Sequence, residues 1–306
     1  MTAPPEKPSQ VSGQAPDPRV AEINRVLLGE AGRPANPVAA ATLFRGAVNQ
    51  GNGAAAERLA ALAAHGISRE ANWSEAVGWL VKAADLMDAS AQGQILALLG
   101  LERAPPDVTW LGLARQIDIK GLLRAPPLTR VHESPAIALI EGLATPGMCR
   151  WLIAKGEARR AGGFGLADTD IVLVLTQKRL ELASGLKVKQ QEAPHVLFYE
   201  VGRESREPFD FPAPDKPARQ QDIDARGQRV ATCLTWLNDD YEGGEIVFPR
   251  IDWKHKGRAG DSMLFLNVGS SDRKPDPMSL HAGMLVTGGR KWLLSQWVRD
   301  KAQPIV

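Results

Sequence analysis

The sequence predicts an α+β fold, a helical N-terminal segment followed by an antiparallel β sandwich or barrel with flanking helices. Three observations carry that reading. From about Arg19 to Leu101, Ala and Leu recur at helical spacing. From about Val196 to Val298, strand-like runs are separated by Gly, Pro and Asp, the residues that divide strands. Between them Pro105, Pro106, Pro126 and Pro127 punctuate a connector. Many strands with short connections and no interposed helix argue against an α/β sheet.

The organisation follows in order. The 306 residues suggest two domains: a disordered tail over 1–18, a helical segment over 19–104, the connector over 105–131 and a β domain over 132–306. Apolar residues at 44% and charged residues at 24% are ordinary for a soluble globular protein. A net charge of +2 gives no electrostatic case for nucleic acid or an anionic membrane, and no apolar run is long enough to span a bilayer. Met1 to Pro18 has no apolar core like that of a secretory signal, which predicts a cytoplasmic protein. Two cysteines, Cys149 and Cys233, exclude a disulfide framework and a thiolate zinc site. Any metal chemistry must draw on His65, His132, His195, His255 and His281 plus carboxylates.

In the helical segment, Leu43-Phe44-Arg45-Gly46-Ala47 aligns with Leu80-Val81-Lys82-Ala83-Ala84, an offset of 37 residues. Repeats of this period mean paired antiparallel helices. The pattern resembles Sel1-like repeats, relatives of tetratricopeptide repeats, over about residues 37–101. That resemblance implies a groove for a peptide or protein partner, with a helical buttress for the second domain as the other reading.

Further on, Ala136 to Ile140 reads as an entry strand, and Thr145-Pro146 as an N-cap followed by proline at the first helical position. A helix is expected over about Asp168 to Ala183. Strands follow at His195 to Tyr199, Arg229 to Leu237, Glu245 to Phe248, Asp261 to Asn267, Ser279 to His281, and Trp292 to Val298. His255 reads as an exposed turn residue.

The informative residues lie in the β half. Asp210 follows the strand that ends near Tyr199, His281 stands some seventy residues later, and Lys291 opens the last strand ten residues beyond. A carboxylate and an imidazole on facing strands suit Fe(II), which takes mixed nitrogen and oxygen ligands. A lysine deep in an apolar barrel wants an anionic partner, and a dicarboxylate would supply one.

Three segments carry a resemblance over residues 133–300. They are His195 through Gly202, then Arg229-Val230-Ala231-Thr232 through Leu237-Asn238-Asp239-Asp240-Tyr241-Glu242-Gly243-Gly244-Glu245, and Leu280-His281-Ala282-Gly283 through Lys291-Trp292. Together they resemble the prolyl 4-hydroxylase-like branch of the Fe(II)- and 2-oxoglutarate-dependent dioxygenases. The resemblance implies a double-stranded β-helix, or jelly roll, with Fe(II), 2-oxoglutarate as cosubstrate and ascorbate as reductant. It assigns Asp210 and His281 as metal ligands, and Tyr199 and Lys291 as cosubstrate-binding residues. The implied reaction hydroxylates a peptide or protein side chain, proline included, with release of succinate and CO2.

The pattern departs at three functional positions. The family's first histidine, two residues before the aspartate, is here Pro208, which has no donor for a metal. An aromatic position is Ser205, and a threonine position is Ile246. His195 reads as a packed strand residue rather than a substitute ligand, and Glu207 points away on a strand. The alternative is therefore a catalytically impaired oxygenase fold that acts by binding a peptide or partner through the repeats.

Overall fold

The structure is a computed structural model that describes residues 17–30, 32, 34–159, 162–205, 209–212, 217–269 and 274–303. The predicted tail falls outside the described residues except for Asp17 and Pro18, and those two open the first helix. Asp17 caps α1 (Pro18–Leu28) by accepting from the Arg19 and Val20 amides. Helices α2 (Pro37–Asn49), α3 (Gly53–His65), α4 (Trp73–Asp85) and α5 (Ala89–Leu99) follow, each packed against the next. Their N-caps are Asn36, Asn52, Asn72 and Asp88, whose side chains each accept from a main-chain N–H in the first turn.

These caps correct the repeat. Asn36 and Asn72 stand 36 residues apart, as do Asn52 and Asp88. The same spacing superposes buried Ala40 on Ala76, Phe44 on Leu80 and Leu59 on Ile95. The offset of 37 matched residue identities, Leu43 with Leu80 and Ala47 with Ala84; burial and capping fix the helices one residue away.

The connector is not featureless. It holds α6 (Trp110–Ala114) and α7 (Ile119–Leu122), with Leu113 and Ala114 buried in the helical core. Then come β1 (Leu128–Glu133), β2 (Ala136–Ile140), α8 (Pro146–Arg159), β3 (Gly162–Gly163) and α9 (Ile171–Ser184). Thr145 accepts from the Met148 amide, as a capping threonine before Pro146 should. After β4 (His195–Glu200) comes α10 (Pro217–Arg226), a helix between strands where none was expected. The rest is β5 (Arg229–Trp236), β6 (Glu242–Gly243), β7 (Ile246–Phe248), β8 (Trp253–His255), β9 (Ser262–Leu266), β10 (Ala282–Gly283), β11 (Val286–Gly288) and β12 (Arg290–Arg299).

Every strand pair is antiparallel. The long sheet runs β1-β2-β9-β5-β12-β4-β3, and smaller sheets run β10-β7-β8 and β11-β6. Period-two alternation sorts the faces. Ile137, Leu234, Trp236, Met263, Phe265 and Leu293 meet Ile246 and Phe248 of β7, so the small sheet packs over the inner face. Ala231, Cys233, Leu264 and Val298 point the other way, against Leu180 of α9.

The helical segment is joined to this scaffold through α8 and α9. Gly93 and Gly147 make the approach possible: a Cβ at 93 would lie 2.3 Å from the Trp151 ring, and one at 147 would lie 2.2 Å from the Ala97 carbonyl oxygen. Gln94 is fully buried, accepting from the Ile171 amide and donating to Glu57. The arrangement is that of a buttress. Cys149 and Cys233 are free and buried, and burial pushes both thiols up to about 12. No described helix is long and apolar enough to cross a membrane.

Candidate functional site

The four residues singled out in the sequence meet in one cavity of about 180 Å³. It is lined by Tyr199, Asp210, His281 and Lys291 together with Ser205 and Ile246. Strand register explains half of this. Tyr199 of β4 lies directly opposite Lys291 of β12, so both side chains project from the same face. Leu293, two residues on, closes the wall.

The other half is a carboxylate–imidazole pair. His281 Nε2 lies 3.5 Å from Asp210 Oδ2, and both side chains are nearly buried. His281 does not sit on a strand, as expected, but between a 3-10 turn (Pro277–Ser279) and β10. Asp276 caps that turn with Pro277 at its first position, so Ser279 to His281 cannot extend. The turn gives the imidazole its orientation. Nδ1 lies 3.0 Å from the Ser279 carbonyl oxygen, which can only accept, so Nδ1 donates there and Nε2 is turned toward Asp210. Phe265 and Phe248 flank the ring, at 4.7 and 5.6 Å between centroids.

Asp210 is held by residues the sequence reading missed. Thr232 Oγ1 donates to Asp210 Oδ2 at 2.7 Å, and Asn267 Nδ2 donates to Thr232 Oγ1 at 2.9 Å. Arg229 donates to the Asp210 main-chain oxygen at 3.3 Å. Thr232 and Asn267 are fully buried. Polar residues at inward positions of otherwise apolar strands were the available signal.

Lys291 is 2% exposed, and its Nζ donates to the Gly244 carbonyl at 2.6 Å. Burial lowers its pKa to about 8, against an opposing pull from Glu245. Gly244 has φ +67°, a left-handed conformation that glycine adopts without strain. A buried cation whose partners, the Gly244 carbonyl and the Tyr199 ring 5.5 Å from Nζ, are both neutral is poised for an anion.

The remaining candidates lie elsewhere. His195 packs edge-on against Trp297 and does not line this cavity. His255 is not an exposed turn residue: it lies on β8, stacked on Trp253 and edge-on to Trp236. His132 Nδ1 is 3.0 Å from the Pro135 carbonyl. Pro208 and Glu207 lie outside the described residues. Among the described residues no three His, Cys, Asp or Glu side chains cluster closely enough to hold a metal.

The donor atoms present fit part of an iron site. With bonds of about 2.1 Å, two donors on one ion stand about 3 to 3.4 Å apart, close to the observed pair. Their chemistry, one carboxylate and one imidazole, also suits Fe(II). In number they are two where a facial site has three.

The chain is similar in part to prolyl 4-hydroxylases. No protein-family model matches the chain. It is 29% identical over 208 residues to prolyl 4-hydroxylase 1 of Arabidopsis thaliana, covering 56% of this chain and 71% of that protein. Over 79 residues it is 39% identical to an Acanthamoeba polyphaga mimivirus protein named for prolyl 4-hydroxylase, covering 26% of this chain and 33% of the viral one. The chain thus spans about a third of the mimivirus relative. A solved viral collagen prolyl hydroxylase from Paramecium bursaria Chlorella virus-1, in complex with 2OG, is 25% identical with a TM-score of 0.45, over 54% of this chain and 96% of that one.

Proposed function

We propose that this protein is an Fe(II)- and 2-oxoglutarate-dependent dioxygenase of the prolyl 4-hydroxylase type, acting on a peptidyl side chain, proline included. One observation carries the reading: a buried ammonium, Lys291, faces the same cavity as the Asp210–His281 pair. Iron, held by Asp210 and His281, would supply the oxygen chemistry, coupling decarboxylation of 2-oxoglutarate to C–H hydroxylation, with ascorbate as reductant.

The chain's own residues prepare that chemistry. Lys291 gives up the Gly244 carbonyl for the distal carboxylate of 2-oxoglutarate, gaining a charge-assisted bond for a neutral one. Tyr199, across the strand pair, lines the same end of the cavity. Asn267 and Thr232 aim the Asp210 carboxylate, and the Ser279 carbonyl orients the His281 ring. Phe248 and Phe265 keep water from the imidazole. In this reading the helical pairs are Sel1-like repeats that offer a partner or substrate surface, on a jelly-roll oxygenase domain in the cytoplasm.

A second reading is favoured by Pro208, which removes a ligand at the family's first histidine position. It makes the chain a binding module that retains the cavity without turnover. One experiment separates the two. Iron content after anaerobic purification and succinate formation from 2-oxoglutarate are measured on wild type beside Pro208→His. Iron near one per chain, lost in His281→Ala, with succinate formed by the wild type, supports the enzyme. Activity only in Pro208→His supports the binding module.

A further inference from the structure

A second cavity, of about 620 Å³, lies between the loop that closes α3 and the far end of β12. That volume is in the range of small-molecule sites, about 300–1,000 Å³. Its lining carries three cations, Lys189, Arg226 and Arg229, against one carboxylate, Glu192. Glu192 is 6% exposed and already spanned by Arg229, at 2.6 and 3.0 Å, and by Arg299 at 2.7 Å. Arg226 and Arg299 also reach Asp222. Positive charge is in excess at the cavity wall.

Three lining residues, Gln191, His195 and Trp297, hold buried polar atoms without a partner, His195 at Nδ1. Gln191 is 5% exposed; its amide nitrogen donates to the Gln177 and Leu186 carbonyls, which fixes the amide and leaves Oε1 unpaired. Trp297 Nε1 has no acceptor. Unpaired buried polar atoms are uncommon in folded proteins, and three in the wall of one cationic cavity point to a ligand.

The cavity is also wired to the first site. The Arg229 guanidinium lies 4.1 Å over the Trp297 ring, and its NH1 donates to the Asp210 carbonyl. Trp297 lines both cavities. An anion that draws Arg229 from Glu192 therefore changes a bond that places Asp210, and Asp210 in turn touches His281.

We propose that this cavity is a second ligand site, for a small organic anion that carries a hydroxyl or amide beside its charge, and that its occupancy reaches Asp210 through Arg229 and Trp297. The anion meets Lys189 and Arg226 at the rim, and its neutral polar group satisfies the wall. By linkage, whatever the anion does to the first site, a ligand in the first site does to the anion's affinity.

Citrate, three carboxylates with one hydroxyl, is the probe. Calorimetric titration of the full chain is run on wild type, on the double variant Lys189→Glu/Arg226→Gln, and on Lys291→Met. Saturable binding is expected in wild type, weakened at least about tenfold in the double variant and held within about twofold in Lys291→Met. No saturable binding up to about 20 mM would overturn the site, as would loss of binding in Lys291→Met with the double variant unaffected. The relay is read by NMR of the five histidine rings, assigned by substitution. Citrate should shift the His195 signal by contact and the His281 signal through Arg229 and Asp210. A His281 signal unmoved at saturation would sink the coupling.

Discussion

Two buried carboxylates, Asp210 and Glu192, lie at opposite ends of Arg229 and are treated in opposite ways. Glu192 is surrounded by guanidinium groups: Arg229 and Arg299 within 2.7 Å and Arg226 at 3.5 Å. Their charge overcomes burial and holds its carboxyl below the usual range. Asp210 receives one hydroxyl and faces one imidazole, and Arg229 reaches only its main-chain oxygen. A saturated carboxylate ties strands together. One that faces only a hydroxyl and an imidazole is available to a ligand.

The contrast can be broken most directly at Glu192. Glu192→Gln leaves the guanidinium groups without their anion and should cost about 3–5 kcal/mol of stability, read by urea denaturation. Asp210→Asn should cost less than about 1 kcal/mol, because the amide keeps a partner in Thr232, and should remove iron binding. Equal losses in the two variants would end the distinction.

Lys291 sharpens it from the cationic side. Lys291→Met should weaken 2-oxoglutarate binding about 100-fold, the value of a charged hydrogen bond of about 2–3 kcal/mol, with the fold intact. The pH dependence follows from the same group. Its pKa falls from 10.5 to about 8 on folding, so in that window the unfolded chain binds a proton that the folded chain lacks. Stability therefore rises as pH goes from about 8 to 10.5. Lys291→Met should flatten that rise in thermal denaturation across the range, and 2-oxoglutarate binding to wild type should weaken above pH 8.

The smallest effect is expected at Thr232. Thr232→Val removes the hydroxyl between Asn267 and Asp210 and should lower turnover about 3–10-fold, near 1 kcal/mol, with Thr232→Ser restoring it. A kcat loss at unchanged 2-oxoglutarate KM would mark Thr232 as a positioning residue; a fall in denaturation midpoint alone would make it structural.

Much of this was legible in the sequence because it is local. Tyr199 and Lys291 stand in short segments whose resemblance singles them out, and Thr145-Pro146 announces α8. The turn before His281 was also written locally, in Asp276-Pro277, but the short apolar run around Leu280 reads as a strand when its cap is overlooked. The Glu192 cluster and the relay from Asn267 to Asp210 were not legible. Glu192 and Arg299 are 107 residues apart, and only the antiparallel register brings them together. The repeat was seen one residue out of phase because identity is a weaker guide than burial in an Ala-rich helix.

Gly93 and Gly147 bear on how such a chain can change over generations. At their crossing, α5 and α8 leave no room for a methyl group, and the Trp151 ring fills the remaining space. The helices cannot be exchanged for another set by recombination unless the incoming segment carries a glycine at the position of Gly93. A lineage that lost that glycine would have to replace Trp151 in the same step.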